Sequence, residues 1–312
     1  MLAITQDSLG GPEVLKVTET DRPVPGPTEV LVRVEATSVN PTDWKTRATG
    51  GLLGAPPFTL GHDVSGVVED SGIGQVLYAP GDEVFGMLRY PFGNGAYAQY
   101  VTAPSRHFVR KPPAADHVEA AAVPLAALTA WQALVDVAGL KEGQRVLVHA
   151  AAGGVGHFAV QIAKARGAHV IGTASAGKHE FLRRLGADEL VDYRAVDFAE
   201  TVRDVDVVLD GIAGDYGHRS LRVLRPGGTL VTLALSAMDE AVHDEAAALG
   251  IRSAAMLVEP DHAAMRTLAA LMEAGRLRAE VAAVLPLTEA AKAHELGETG
   301  RTTGKIVLTV PH

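Results

Sequence analysis

The stretch RVLVHAAAGGVGHFAVQIAKARGAHVIGTAS, residues 145–175, decides the fold of this chain of 312 residues. It starts with a short valine-rich strand pattern and passes through a tight glycine turn into an amphipathic helical pattern. Gly167 marks the end of that helix, and a second strand pattern follows it. The order strand, turn, helix, strand predicts one βαβ unit of a parallel sheet.

The turn itself carries Gly153, Gly154 and Gly156. Glycines at such a turn let the backbone approach a phosphate closely, and the start of the helix offers free N–H groups and a positive dipole end. We therefore predict that residues 152–156 hold the pyrophosphate of a dinucleotide, although Ala151 replaces the usual first glycine. The predicted contacts come from Ala152, Gly153, Gly154, Val155 and Gly156.

The same alternation continues along the second half of the chain. Its helical patterns are Val155–Arg166, Lys178–Leu185 and Tyr216–Leu224. Its strand patterns are Arg145–Ala150, His169–Thr173, Leu190–Tyr193, Val205–Asp210 and Thr229–Leu235. This alternation predicts an α/β domain with a doubly wound parallel sheet of the Rossmann type.

The first 110 residues have a different texture, with short strand patterns between glycine and proline turns. Examples are EVLVRVEATSV (29–39), DVSGVVED (63–70) and DEVFGM (82–87). The stretch GKIVLTV (304–310) is another strand pattern, and we expect it to return to this β-rich part.

The end of the second Rossmann strand indicates which dinucleotide binds. An acid there would bind the ribose hydroxyls of NAD and repel a 2′-phosphate, but TASAGK (173–178) contains none. Thr173, Ser175, Lys178 and Tyr193 offer hydroxyl and ammonium groups that suit a phosphate. We predict NADP(H) as the cofactor. The alternative for Lys178 is a solvated lysine at a helix start, and the alternative for Tyr193 is a half-buried strand residue.

Composition excludes several functional classes. The formal net charge is −9 and no long Lys/Arg cluster occurs, so we expect no nucleic-acid partner. The longest apolar stretch, residues 120–131, is too short for a membrane span, and the first residues lack a signal-peptide pattern, so we expect a cytoplasmic protein. The absence of cysteine excludes disulfides and thiolate zinc sites.

Several motifs together resemble the zinc-independent quinone oxidoreductases and enone (alkenal) reductases of the medium-chain dehydrogenase/reductase superfamily. They are VNPTDWK (39–45), LGHDVSGVV (60–68), PGDEVFG (80–86), GAYAQYV (95–101), PLAALTAWQAL (124–134), the glycine turn and GRTTGKIVL (300–308). The resemblance implies a GroES-like catalytic domain, residues 1–118 completed by 262–312, and a Rossmann domain, residues 119–261, with the active site in the cleft between them. It also implies a homodimer, for which RSAAMLVEP (252–260) is a candidate edge strand.

The resemblance also identifies the positions at which zinc-containing relatives bind their metal. These positions correspond to Asn40, His62 and Leu125. An asparagine amide is a poor zinc ligand and leucine is none, so one histidine beside Asp63 does not complete a site. We expect no metal, and we expect His62 to be a relic of the metal site, in a tight glycine-flanked turn where it hydrogen-bonds to backbone.

Without a metal, conjugated acceptors are the favoured substrates, because the negative charge left by hydride transfer is delocalised. We predict hydride transfer from NADPH to a quinone or to the β-carbon of an α,β-unsaturated carbonyl. Asn40 and Lys45 are the candidate catalytic donors. Asn40 would hold the substrate oxygen or the nicotinamide amide, and Lys45, which matches a lysine of the enone reductases that this chain resembles, would stabilise the developing enolate. The alternatives are a helix N-cap for Asn40 and an exposed helix lysine for Lys45.

The resemblance implies two further groups, and the aromatic side chains suggest a third. Thr129 is expected to pack on the nicotinamide ring, and Leu233, Ala234 and Leu235 to face the same ring. From their residue type alone, Trp44, Tyr90 and Phe92 are candidates for lining an apolar substrate cleft; the alternative is that they belong to the core or to a lid. Two other functions stay open: a reductase of a natural-product or enoyl-thioester intermediate, and a nucleotide-binding protein without turnover.

Overall fold

The computed structural model describes residues 1–91, 95–233 and 239–312. The strands are β1 (Leu2–Gln6), β2 (Lys16–Glu19), β3 (Glu29–Val39), β4 (Phe58–Thr59), β5 (Asp63–Ser71), β6 (Glu83–Met87), β7 (Tyr100–Pro104), β8 (Phe108–Arg110), β9 (Arg145–Val148), β10 (His169–Ala174), β11 (Glu189–Asp192), β12 (Val205–Asp210), β13 (Leu224–Thr232), β14 (Arg252–Ala255), β15 (Val281–Pro286) and β16 (Lys305–Thr309).

The α-helices are α1 (Pro41–Thr49), α2 (His117–Ala121), α3 (Pro124–Trp131), α4 (Gly156–Ala165), α5 (His179–Arg184), α6 (Phe198–Thr201), α7 (Asp215–Leu221), α8 (Glu240–Ala248), α9 (His262–Glu273) and α10 (Ala290–Glu298). A π-helical segment, Gln132–Val137, continues α3. Among the residues that the structure describes, no helix is both long enough and apolar enough to cross a bilayer.

The chain divides into two compact units. The first is Met1–Leu128 with Glu259–His312, and the second is Thr129–Val258. The predicted limit at residue 118 assigns most of α2 to the second domain. In the structure α2 belongs to the first unit, because Ala121 and Ala122 pack against Ala36 of β3 and Val307 of β16.

The second unit is built on a parallel sheet of six strands, in the order β11-β10-β9-β12-β13-β14. This order reverses direction at β9, which is the arrangement of a dinucleotide-binding Rossmann domain. Three residues of β9 and all six of β12 are buried, as expected for strands covered on both faces. The predicted doubly wound parallel sheet is confirmed.

The first unit is built on a mostly antiparallel sheet. Its strands run in the order β15-β16-β3-β5-β6-β8, and β7 pairs with the first five residues of β3, Glu29–Arg33. The C-terminal strand β16 lies antiparallel to β3, with Ile306 opposite Val39. The end of the chain therefore completes the core of the β-rich unit, and it brings residue 305 beside the end of β3.

A neutral histidine lies in the core of the second unit, directly after β9. The Nδ1 atom of His149 lies 3.2 Å from the hydroxyl of Thr173, and its Nε2 atom lies 3.1 Å from the hydroxyl of Ser220. Its ring packs edge-on against Phe198 and Tyr216. Burial is the largest cause that lowers the pKa of His149 to about 3.

This histidine makes the fold sensitive to acid. In the unfolded chain His149 takes up a proton below its ordinary pKa of 6.5, whereas in the folded chain it stays neutral down to about 3. The contribution of the neutral His149 to the free energy of unfolding is therefore fully present above pH 6.5, and it is lost as pH falls from 6.5 towards 3. Between neutral pH and pH ~5 we expect His149 to cost roughly 2 kcal/mol of unfolding free energy.

The measurement is urea unfolding at several pH values, comparing the wild type with the His149→Gln variant. The variant should start less stable but lose about 2 kcal/mol less on acidification. His243→Gln, which removes an exposed histidine of α8, is the matched control and should keep the wild-type slope. Equal slopes for all three proteins would contradict the prediction.

Candidate active site

The glycine turn lies between β9 and α4, at the carboxyl end of a buried strand. A Cβ atom on Gly156 would lie 2.3 Å from the carbonyl oxygen of Ala150, so only glycine lets α4 begin this close to the strand. Within the described chain, the backbone N–H groups of Gly154 and Val155 have no hydrogen-bond partner. Unpaired N–H groups at a helix start are donors for an anion. The turn therefore fits the pyrophosphate of a dinucleotide.

Thr173 supports the turn from the neighbouring strand β10. It is 1% exposed, and its hydroxyl accepts the backbone N–H of Ala150 at 3.3 Å while contacting His149. Its carbonyl oxygen accepts the N–H of Ala151 at 3.0 Å. Thr173 thus shapes the turn, and Ala152 is buried within it. A direct contact of the Thr173 hydroxyl with a cofactor stays a prediction.

A polar and basic group lies at the carboxyl ends of β10 and β11. Ser175 directly follows β10, Lys178 is half-buried in the turn before α5, and Tyr193 is exposed directly after β11. The guanidinium of Arg194 lies 5.7 Å from the centre of the Tyr193 ring. Partial burial is the largest cause that lowers the pKa of Lys178, and the positive charge of Arg194 acts in the same direction.

This arrangement brings the predicted Lys178 and Tyr193 together and adds Arg194, which the sequence analysis missed. The acid of this region, Asp192, accepts the backbone N–H of Arg194 at 3.0 Å. Arg194 could have been found by extending the search from the last strand residue into the turn that follows it. The sequence alone did not show that the positive charge of Arg194 acts on Lys178.

The remaining predicted cofactor contacts are dispersed or lie outside the described residues. Thr129 is a buried residue of α3. Leu233 directly follows β13, and its N–H donates to the carbonyl of Asp210 at 2.9 Å. Ala234 and Leu235 fall within 234–238, which the structure does not describe. The contacts of Thr129 and Leu233 with a nicotinamide stay predictions.

In the first unit, Asn40 lies between the end of β3 and the start of α1 and is 1% exposed. Its Nδ2 donates to Oδ2 of Asp63 at 2.7 Å, and its Oδ1 accepts a hydrogen bond from the ammonium of Lys305. Its backbone N–H donates to Oδ2 of Asp43 at 2.8 Å, which is one half of a helix capping box. Asn40 is thus the helix N-cap of the alternative interpretation, while its side chain is held by two buried charged groups.

Asp63 is the centre of this buried cluster and is 0% exposed. Besides Asn40, its carboxylate accepts the hydroxyl of Ser38 and, at 2.6 Å, the backbone N–H of Leu125 at the start of α3. The Nζ atom of Lys305 lies 3.8 Å from its Oδ2. The carboxylate therefore joins β3, β5, α3 and β16 through hydrogen bonds and one ion pair.

A second buried network starts at Asp43, in the first turn of α1. Its Oδ2 also accepts the hydroxyl of Tyr97 at 3.3 Å, and that hydroxyl lies 3.0 Å from Nε2 of His294. The Nδ1 of His294 lies 3.2 Å from Nη1 of Arg47. Burial is the largest cause that raises the pKa of Asp43 to about 7. Asp43 is therefore a neutral carboxylic acid below neutral pH, and the network ties α1 to α10.

His62 lies at the edge of this network. Its Nε2 is 3.9 Å from Oδ1 of Asp43, and its ring packs edge-on against Tyr90 at a centroid distance of 5.0 Å. Burial lowers the pKa of His62 to about 4, with the charge of Asp63 opposing it. His62 is thus neutral at physiological pH. The predicted backbone hydrogen bond of its ring stays a prediction.

The side chains around α1 are placed differently from one another. Lys45 is exposed on α1, as in the alternative interpretation, and a catalytic role for it stays a prediction. Trp44 is half-buried and packs against His294 of α10. The hydroxyl of Tyr90 lies 2.9 Å from that of Thr42. Phe92 lies outside the described residues.

The zinc-ligand positions of the superfamily do not fit a metal in this chain. The amide oxygen of Asn40 accepts a hydrogen bond from an ammonium, and Leu125 contributes a backbone N–H to a carboxylate. In residues 1–91, 95–233 and 239–312, no three His, Asp or Glu side chains come close enough together to hold a metal ion. The residues at these positions therefore do not suit a metal ion.

Comparison with protein families gives two matches. Residues 26–113 match the alcohol dehydrogenase GroES-like domain. Residues 185–308 match the family described as zinc-binding dehydrogenase. The first match confirms the predicted GroES-like domain, and the second covers the last part of the Rossmann sheet and the C-terminal segment.

Two curated relatives cover almost the whole chain. The mouse NAD(P)H oxidoreductase RTN4IP1, mitochondrial, is 32% identical over 97% of this chain and 88% of its own length. The human quinone oxidoreductase is 31% identical over 99% of this chain and 97% of its own length. Both are oxidoreductases by name, and the first is named as mitochondrial.

Solved structures agree with these relatives. The quinone oxidoreductase from Coxiella burnetii has a TM-score of 0.94 and 37% identity, covering 100% of this chain and 99% of its own. The Escherichia coli quinone oxidoreductase complexed with NADPH has a TM-score of 0.88 and 29% identity, covering 99% and 100%. The CurK enoyl reductase has a TM-score of 0.90 and 29% identity, covering 99% of each chain.

These similarities extend along the whole chain, and they agree with a Rossmann sheet whose glycine turn fits a dinucleotide. They support an oxidoreductase that uses a nicotinamide cofactor and acts on a small molecule. The chain belongs to the medium-chain dehydrogenase/reductase superfamily, in its quinone oxidoreductase branch.

Proposed function

We propose that this protein is an NADPH-dependent reductase that transfers hydride to a quinone or to the β-carbon of an α,β-unsaturated carbonyl, without a metal. One observation carries the proposal: the second unit has both free backbone N–H groups at the glycine turn and a basic group at the ends of β10 and β11. When bound, the cofactor supplies the hydride. The residues of this chain bind it, orient it and stabilise the charge that develops on the substrate.

The preference for NADPH rests on Ser175, Lys178, Tyr193 and Arg194. A 2′-phosphate carries negative charge and several acceptor oxygens, so an ammonium, a guanidinium and two hydroxyl groups recognise it by charge-assisted hydrogen bonds. No acid ends β10, and the carboxylate of Asp192 is held by a backbone N–H. Nothing on β10 therefore repels the phosphate.

The preference for conjugated acceptors rests on the first unit. The buried Asn40 offers an amide N–H, which is a modest donor compared with a metal ion. A ketone reduced directly leaves a localised alkoxide, whereas an enone leaves a delocalised enolate and a quinone leaves a delocalised hydroquinone anion. One hydrogen-bond donor is enough for the delocalised anions, and solvent can supply the proton.

A second candidate is the reduction of an enoyl thioester. The whole-length similarity to the CurK enoyl reductase favours it. Against it, residues 45–53 contain no tyrosine that could deliver a proton to the enolate. Binding of the cofactor without turnover is the third possibility.

For the assembled protein, we propose a homodimer joined through β14, because this strand is at the edge of the parallel sheet. A cytoplasmic location stays a prediction.

The cofactor preference can be tested by charge reversal. We expect Lys178→Glu and Arg194→Glu each to raise the Kd of NADPH roughly 100-fold, because a charge-assisted hydrogen bond is replaced by repulsion. The Kd of NADH should change by less than about threefold, since it has no 2′-phosphate. Fluorescence titration with both cofactors measures this.

Arg183→Glu is the matched control for these variants, because it makes the same change of charge at an exposed position on α5. It should leave both Kd values near those of the wild type. An equal loss of NADPH and NADH binding in the Lys178 variant would show that this lysine does not recognise the 2′-phosphate.

The substrate class can be tested by following NADPH absorbance with a benzoquinone, a short enone, a crotonyl thioester and a simple aldehyde. We expect turnover of the quinone or the enone and none of the aldehyde, because only the conjugated acceptors delocalise the charge. A metal chelator should leave the rate unchanged. Turnover of the thioester alone would favour the second candidate, and binding without oxidation of NADPH would favour the third.

A further inference from the structure

The orientation of the Asn40 side chain is determined by its two partners. A side-chain amide has a carbonyl oxygen that accepts and an NH₂ group that donates, and the two ends have nearly the same shape. An ammonium can only donate, so the oxygen must face Lys305. An ionised carboxylate can only accept, so the NH₂ group must face Asp63. The opposite orientation would place like groups together at both ends.

Lys305 is itself held firmly. It starts β16 and is 3% exposed, and its Nζ donates to the backbone carbonyl of Val39 at 3.2 Å as well as to Asn40. The preceding Gly304 has a φ of +74°, and a Cβ there would lie 2.1 Å from the carbonyl oxygen of Glu280. Only glycine fits at position 304, and the close approach of the backbone to Glu280 there determines where the side chain of Lys305 begins.

We infer that Lys305 is a positioning residue for the proposed reaction: it holds the carbonyl oxygen of Asn40 inward, so that the second Nδ2–H of the amide is presented as the donor to the substrate oxygen. This inference rests on the proposed function, in which an oxygen of the substrate becomes negative. Asp63 takes one N–H of the amide, and one remains to donate. A donor already oriented before the reaction needs no rearrangement when the charge develops.

Without Lys305, the amide has no partner that requires its oxygen at that side. Asp63 then holds the amide by a single hydrogen bond to its Nδ2, about which the amide can tilt, so that the second Nδ2–H no longer points to the substrate oxygen. The expected consequence is a lower kcat with little change in cofactor binding, because the groups at the glycine turn and beyond β10 are untouched.

The experiment compares the wild type with Lys305→Met, which keeps the length of the side chain but removes the ammonium. With the quinone or enone that the wild type turns over best, kcat should fall roughly 10- to 100-fold, as expected for the loss of one charge-assisted hydrogen bond in the transition state. The Kd of NADPH should stay within about twofold. Lys111→Met is the matched control, since it removes another buried ammonium of the same unit, one that bonds to the carbonyl of Ala115 and to Glu83 instead of Asn40; its kcat should stay near that of the wild type.

Loss of Lys305 also leaves the Asp63 carboxylate without its counter-charge and lowers stability, so a second variant separates the two effects. The double variant Lys305→Met with Asp63→Asn removes both charges and should recover thermal stability. Its kcat should stay low, because neither remaining partner specifies the orientation of the amide. Recovery of kcat together with stability would overturn the inference, and so would an unchanged kcat in Lys305→Met. Failure of the wild type to oxidise NADPH with any quinone or enone would instead defeat the proposed function.

Discussion

The first unit depends on a single buried carboxylate. A fully buried ionised group costs several kcal/mol unless its partners replace the lost water, so the Asp63 side chain depends on the hydrogen bonds and the ion pair around it. Those partners come from the end of β3, the start of α3 and the start of β16. The carboxylate therefore specifies how segments that are distant in the sequence meet. Because Asn40 is one of the partners, the geometry of the candidate donor is fixed by the same condition that lets the unit fold.

The second unit solves a similar problem with neutral groups. His149 hydrogen-bonds to two hydroxyl groups and stays neutral, so no counter-charge is needed beneath the glycine turn. The hydroxyl of Thr173, which contacts His149, also accepts the backbone N–H of Ala150, and Ala150 adopts a positive φ of 48°. A non-glycine residue in that conformation needs support from its surroundings. The turn is thus held from below by buried hydrogen bonds, while its N–H groups on the other side stay available for a phosphate.

Much of this architecture could be predicted from local pattern. The strand, turn and helix at residues 145–166 are specified by alternation and glycine placement within one short segment, and β16 has a clear strand pattern. Boundaries were less accurate where polar or glycine residues enter an element. The predicted helix Tyr216–Leu224 ends in the structure at Leu221, and β13 already starts at Leu224, because the sheet accommodates Pro226, Gly227 and Gly228 before the valine-rich part.

The candidate site was harder to predict, because its contacts are not local. Lys305 reaches Asn40 across 265 residues, and no periodicity or motif within either segment shows that contact. The structure also explains why this chain does not suit the metal of its superfamily. The Lys305 ammonium already lies against Asn40 Oδ1 and 3.8 Å from Asp63 Oδ2, so a second cation there would meet a like charge and lose two oxygen ligands. A monovalent ammonium that orients an amide polarises a carbonyl far less than a metal ion would. The cation that completes this buried cluster is thus consistent with the proposed acceptors, whose charge is delocalised.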